Sequence, residues 1–228
     1  MSAELALNGA SLKVRNQWIV KPLSLTIDAG QTVALVGESG AGKSSLLELL
    51  RQAHADRVAW CPQQPALVPM LSLYLNVYMG RLHEFGLWQN LSNLLRADPD
   101  QWRSVQALAD ELGLLNGSGA KRMSQSAERF SGGEQQRINI ARALFQQRPI
   151  FLGDEPVSAV DEVQARRIIE RVKAHHQTTV LALHDVDLAL ACADRIIGMS
   201  QGEVVLDRPA RALDAETLLA LYPSQRHG

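Results

Sequence analysis

Between residues 23 and 28, Leu23, Leu25 and Ile27 alternate with Ser24, Thr26 and Asp28, and Ala29-Gly30 follows. A period of two predicts a strand with one buried face that ends in a turn. The pattern then changes character. Residues 33–36, 150–152 and 179–183 are short, nearly unbroken apolar runs, as expected of parallel strands covered on both faces. From 161 to 175 the spacing becomes helical, with Ile168, Ile169 and Val172 on one stripe. Residues 196–199, the turn Gln201-Gly202 and residues 204–206 predict a terminal hairpin. The stretch 71–126 reads as mostly helical and supplies no strand. The chain is therefore expected to be one α/β domain over 1–228 with a mostly parallel sheet, carrying an inserted helical subdomain of about 71–138. No internal repeat or interdomain linker is visible.

Composition narrows the class without naming it. The 228 residues, 46% hydrophobic and 21% charged, suit an ordinary globular protein able to bury a substantial core. A net charge of −1 offers no footprint for nucleic acid, so no nucleic-acid partner is expected. No apolar run reaches the roughly 18 residues of a membrane span. Met1-Ser2-Ala3-Glu4 lacks the basic and apolar regions of a signal peptide. Cys61 and Cys192 make neither a disulfide framework nor a metal set and suit a reducing compartment. His175-His176 ends a predicted helix in polar surroundings and reads as surface. Arg166, Arg167 and Arg171 alternate with Glu162 and Glu170 and read as a solvated face with i,i+4 pairs.

The chemistry begins at Gly37-Glu38-Ser39-Gly40-Ala41-Gly42-Lys43-Ser44, between a predicted strand and a predicted helix. Glycines let the backbone wrap an anion with its N–H groups inward, and the helix dipole adds positive charge there. Lys43 can reach β- and γ-phosphates, and the Ser44 hydroxyl can ligate Mg²⁺. The expected ligand is a nucleoside triphosphate. Asp154, at the end of the apolar run that starts at Ile150, can hold Mg²⁺, and Glu155 can orient or deprotonate an attacking water.

Downstream of that loop come Phe130-Ser131-Gly132-Gly133-Glu134, then Gly153-Asp154-Glu155-Pro156, then His184. In that order the motifs resemble those of the ATP-binding-cassette (ABC) family of ATPases, over nearly the whole chain. The resemblance implies a P-loop ATPase core with ATP and Mg²⁺ as cofactors. Gln63 corresponds to a glutamine that touches Mg²⁺ and water, with Gln64 beside it. His184 corresponds to a switch histidine on the γ-phosphate, and Ser158-Ala159-Val160-Asp161 to a loop crossing a dimer interface. Ser158 or Asp161 can equally serve as a helix N-cap. Ser131, Gly132 and Gly133 would cap ATP held by a second copy, giving a homodimer of cassettes with ATP at its interface; Ser131 also reads as a helix N-cap.

This chain departs from the family in five places, one of them Val160 in the 158–161 loop, where leucine is usual. Phe130 stands for the usual leucine and Glu134 for the usual glutamine of the signature motif. The adenine-stacking aromatic falls at Val14, so Trp18, four residues on, is the candidate base contact, or adenine packs on Val14 alone. Nineteen residues lie between Lys43 and Gln63, fewer than usual, which predicts a reduced N-terminal antiparallel β-subdomain.

The segment from Asn76-Val77-Tyr78 through Trp88 and Leu94-Leu95 to Glu111-Leu112-Gly113-Leu114, and the run Leu183-His184-Asp185-Val186-Asp187, resemble ATPase subunits of phosphonate importers. That implies an ATPase energising import of a phosphonate or related oxyanion. Its partners would be integral-membrane permease subunits and, through them, a substrate-binding protein. It would lie peripherally on the cytoplasmic face of the inner (plasma) membrane. The surface from Gln64 to Arg96 would receive a short permease helix: its apolar residues Leu67, Leu71, Leu75, Tyr78 and Leu82 exceed what the subdomain's own small core needs, and some of them are expected to form the docking cleft. The alternative is a soluble ABC-type ATPase of a phosphonate-degrading enzyme complex.

Overall fold

The computed structural model describes residues 3–222. Met1 and Ser2, part of the stretch from which no signal peptide is expected, lie outside the described residues, as do residues 223–228. Two compact units emerge, one of 1–60 with 148–228 and one of 61–147.

The first unit opens with β1 (Ala3–Val14) and β2 (Gln17–Asp28), an antiparallel two-stranded sheet. The two-residue connection Arg15-Asn16 has φ of 47° and 68°, the left-handed geometry of a tight hairpin. Leu25 and Ile27 face inward while Thr26 is exposed, as the alternation predicts. Next come β3 (Thr32–Val36), α1 (Lys43–Ala53) and β4 (Val58–Cys61).

The second unit is built from α2 (Leu73–Tyr78), α3 (Leu87–Leu95), α4 (Pro99–Glu111), α5 (Gly119–Met123) and α6 (Gly132–Phe145). Residues 71–126 hold one isolated bridge, Ser72 with Ser126, and no strand. Asp98 caps α4, accepting from the Asp100 and Gln101 amides, with Pro99 in the first turn where its missing N–H costs nothing. The core of this unit is aromatic. Tyr74 meets Trp102 at a tilt, with 5.0 Å between centroids, and Tyr78 stacks on Phe85 at 5.2 Å. Tyr78 is thus buried, so within the candidate docking set it is one of the members that serve the unit's own core: its ring packs there and its hydroxyl serves α3.

Helix α3 is inside out. Its asparagines face inward, Asn93 Oδ1 accepting from the Tyr74 hydroxyl at 2.6 Å and Asn90 Oδ1 from the Tyr78 hydroxyl at 2.9 Å. Leu87, Trp88, Leu91 and Leu94 face solvent, the first two about four-fifths exposed (80% and 81%).

The chain then returns to the first unit with β5 (Ile150–Asp154), α7 (Glu162–His175), β6 (Thr178–Ala182), α8 (Val186–Cys192), β7 (Arg195–Ser200), β8 (Glu203–Pro209) and α9 (Ala215–Leu219). Six strands form one sheet in the order β4-β5-β6-β3-β7-β8. β5, β6, β3 and β7 run parallel; β8 closes the edge as an antiparallel hairpin with β7. β3, β5 and β6 are buried along their whole length, which is why they lack alternation. Leu46, Leu47 and Leu50 of α1 join a core with Leu35, Leu152, Val180 and Ile197 of the sheet and Leu5 and Ile27 of the hairpin. One helix thereby ties both sheets together.

His175 is exposed as expected, but His176 is not: it is 7% exposed, with its Nδ1–H donating to the Val172 carbonyl at 2.9 Å. The reading of both as surface residues fails because the chain turns directly from α7 into the buried β6. His176 is carried with it against the edge of Phe151.

Candidate functional site

Parallel strands bring their carboxyl ends to one sheet edge, the usual place for a site in an α/β fold. Here β3 ends at Val36, β5 at Asp154 and β6 at Ala182, and the ladder pairs Leu35 and Asp154 each with Ala182. Three loops therefore leave the sheet side by side: 37–42, Glu155 onward, and Leu183-His184.

The first loop is shaped by sterics. Gly37 (φ 141°) presses on β7, where an added Cβ would lie 2.2 Å from the Met199 carbonyl oxygen. Gly42 (φ 105°) caps α1 in left-handed geometry, and a Cβ there would meet the Ile19 carbonyl of β2 at 2.7 Å. No other residue type fits either position without moving backbone. The β7–β8 turn locks the loop further, the Gly202 amide donating to the Ala41 carbonyl and the Lys21 amide to the Gly202 carbonyl. Lys43, in the first turn of α1, folds back under the loop. Its ammonium donates to the carbonyls of Gly37 (2.7 Å) and Glu38 (3.0 Å). Burial lowers its pKa, and the carboxylates of Glu155 and Asp154 oppose that by favouring the cation. Ser39, Gly40 and Ser44 are exposed.

Asp154 is buried, and the Ser44 hydroxyl donates to its carboxylate. Burial, and the neighbouring Glu155 charge, raise its pKa, against the pull of Ser44, Lys43 and His184. One carboxylate oxygen, Oδ1, is buried with no hydrogen-bond partner. An orphaned hard oxygen beside a serine hydroxyl is a donor set that fits Mg²⁺. Glu155 follows with φ 49°, left-handed for a non-glycine residue, and its amide extends the ladder to the Ala182 carbonyl. That conformation costs about 1–2 kcal/mol and turns the side chain back to the sheet edge, where its Oε1 lies 2.5 Å from His184 Nε2. Both residues line a cavity of about 230 Å³ whose apolar walls include Val157, Val160, Leu183 and Leu188. In the 158–161 loop the N-cap is Asp161, whose Oδ1 accepts from the Gln164 amide at 2.9 Å.

The remaining candidates belong to the second unit. Gln63 and Gln64 are exposed. Ser131 caps α6 in a capping box: its Oγ accepts from the Glu134 amide, and the Glu134 carboxylate accepts from the Ser131 amide at 2.9 Å. The glutamate that replaces glutamine thus binds the helix start, while Arg122 pairs with its other oxygen. Ser131 and Gly132 remain exposed.

At the hairpin tip, Trp18 pairs with Lys13 and Val14 with Gln17, so Trp18 and Val14 lie on opposite faces. Lys13 Nζ sits 5.0 Å from the Trp18 ring centroid. The two candidate adenine contacts are therefore distinct surfaces. Tyr222 was invisible to sequence reasoning: its hydroxyl accepts the Gly37 amide at 2.9 Å from 185 residues away, and no local pattern signals such a contact.

The family model described as "ABC transporter" matches residues 20–158, more than half of the chain. The chain belongs to the ABC transporter family. Among its relatives is a phosphonates import ATP-binding protein PhnC of Pseudomonas putida, 36% identical, with 99% of this chain and 92% of the relative covered. One of the same description from Natronomonas pharaonis is 34% identical over 96% of this chain and 99% of the relative. Solved cassettes share the fold. A nucleotide-free ATP-binding cassette from an ABC transporter superposes with a TM-score of 0.78 at 16% identity, covering 97% of this chain and 99% of that one. A dimeric cassette in a post-hydrolysis state with ADP and Pi gives 0.75 at 23% identity, covering 92% and 100%. No helix among the described residues is long and apolar enough to cross a membrane.

Proposed function

We propose that this cassette is the ATP-hydrolysing subunit of a phosphonate importer. The observation that carries the chemistry is the convergence of Lys43, Ser44, Asp154, Glu155 and His184 at one sheet edge. The importer assignment is supported by relatives named for phosphonate import that match nearly the full chain.

In this reading the loop amides of 38–42 and the Lys43 ammonium hold the phosphates. Ser44 and Asp154 would hold Mg²⁺, and the ion when bound would offset charge developing on the transferred phosphoryl group. Glu155 takes a proton from, or orients, the attacking water. His184, hydrogen-bonded to Glu155, keeps that carboxylate aimed and reaches the γ-phosphate. Trp18 supplies the aromatic face for adenine. Ser131, Gly132 and Gly133, at the amino end of the fourteen-residue α6, supply donors to the γ-phosphate held by a second copy. Two copies then enclose two ATP molecules, at the cytoplasmic face of the inner membrane.

The partner proposed for the second unit is the permease. An apolar α3 face in water, on a helix whose polar side is buried, suits a protein partner better than solvent. Trp88→Asp and Leu91→Asp are expected to leave the ATPase rate of the isolated protein within about twofold, since surface changes away from a site alter little. They should abolish stimulation by permease-containing membranes and uptake of a phosphonate in cells. Unchanged uptake in both variants overturns the docking assignment. Full function in cells lacking any cognate permease favours the soluble alternative.

A further inference from the structure

Two bonds in series run from the C-terminal turn to the phosphate-binding lysine. The Gly37 amide donates to the Tyr222 hydroxyl at 2.9 Å, and the carbonyl of the same Gly37 accepts from the Lys43 ammonium at 2.7 Å. The Lys43 ammonium also donates to the Glu38 carbonyl. Gly37 cannot shift toward β7, because the Met199 carbonyl already fills the space a Cβ would need. Its amide belongs to neither the ladder of β3 nor the helix ladder of α1, so the Tyr222 oxygen is the partner that keeps a buried donor satisfied.

The segment that delivers this hydroxyl is itself well anchored. Asp214 caps α9 by accepting from the Thr217 amide at 2.8 Å, and Leu218 is fully buried. Leu221 lies over Gly198 of β7, where an added Cβ would come 2.6 Å from its Cδ1. Backbone bonds from the Leu221 amide to Leu218 and from the Tyr222 amide to Leu219 complete the turn. Tyr222 is 5% exposed, and burial raises its pKa, so the hydroxyl stays protonated and neutral at physiological pH.

We propose that Tyr222 is a positioning residue for nucleotide binding: its buried hydroxyl holds the Gly37 peptide, whose carbonyl in turn orients Lys43 toward the phosphates. This rests on reading Lys43 as the phosphate-binding lysine. Because Lys43 meets the phosphates in ground and transition states alike, loss of the hydroxyl weakens binding without slowing the chemical step.

The test compares Tyr222→Phe, which keeps the ring and deletes the hydroxyl, with Leu221→Ala, which loosens the same turn and keeps the hydroxyl. ATP dissociation constants and ATPase kinetics are measured well below both melting temperatures, with hydrogen exchange across 33–43. Tyr222→Phe is expected to raise the Kd and KM for ATP about fivefold to tenfold, the effect of one hydrogen bond of ordinary net strength. Its kcat should stay within about twofold, and the Gly37 amide should lose protection. Leu221→Ala is expected to lower Tm with the Kd unchanged. An unchanged Kd in Tyr222→Phe overturns the proposal, as does an equal rise in both variants, which would reduce Tyr222 to a fold anchor. Lys43→Ala, measured alongside, should lose ATP binding; retention there would overturn the reading of the nucleotide site, and this proposal with it.

Discussion

Glu155 carries the chemistry at the scale of single residues, and its environment says how to test it. Its backbone is held in a left-handed conformation and its carboxylate meets His184. A glutamine there keeps size and hydrogen-bonding reach but loses the charge that activates water. Glu155→Gln is expected to bind ATP normally and to lose about 10²–10⁴-fold in turnover, the span assigned to positioned general bases. It should also accumulate an ATP-locked dimer visible by size exclusion. Wild-type turnover in this variant would remove Glu155 from the mechanism. Gly37 and Gly42 set a second constraint at this scale: any side chain at either position strikes a backbone carbonyl, so alanine there should perturb the loop even though no functional group is lost.

Elements show where patterns succeed and where they mislead. The stripe Ile168, Ile169 and Val172 is buried on α7, and Arg166 pairs with Glu162 one turn earlier, because helical periodicity reports a single buried face directly. The residue after that helix obeys a different rule. His176 Nε2 is buried without a partner, and burial lowers the His176 pKa to about 4, below the ordinary 6.5. The folded state therefore disfavours the protonated ring, while the unfolded chain takes up the proton. The His176 contribution is fully present above about pH 6.5 and is lost as pH falls from there through about 4, on the order of 3 kcal/mol in all. His176→Phe, which keeps an aromatic against Phe151, is expected to flatten the fall of denaturation midpoint between pH 6.5 and 4. An identical pH profile would remove His176 from the acid response. In α3 Leu87, Trp88, Leu91 and Leu94 point outward, so residue types that read as core are surface. The polar groups went inward because the Tyr74 and Tyr78 hydroxyls require acceptors once their rings are buried.

The whole molecule places its candidate groups in two units: Lys43, Ser44, Asp154, Glu155 and His184 in one, Gln63 and Ser131 in the other. If the signature serves a second copy, defects on different chains should complement. A mixed dimer of Ser131→Arg and Lys43→Ala subunits has one composite site with both defects and one with neither. Residual ATPase activity in that mixture, where each homodimer is inactive, is the expected outcome. Disulfide crosslinking of Ser131→Cys with Ser39→Cys should join two chains; a crosslink formed only within one chain would refute the arrangement.

The local placement of the candidate groups was legible in the sequence. The glycine-rich loop, the strand-end Asp154 and Glu155, the strands of the parallel sheet and the helical character of 71–126 follow from spacing and residue type, because phosphate cradles and buried strands are made from consecutive residues, while His184 after β6 was singled out by the family resemblance. What tertiary structure decided are the contacts between residues distant in the chain. Tyr222 on Gly37, the Ser44–Asp154 bond, the opposite faces of Val14 and Trp18, the inversion of α3 and the burial of His176 each depend on which surface packs against which. A side chain's burial is a property of its neighbours in space, and no periodicity along the chain records them.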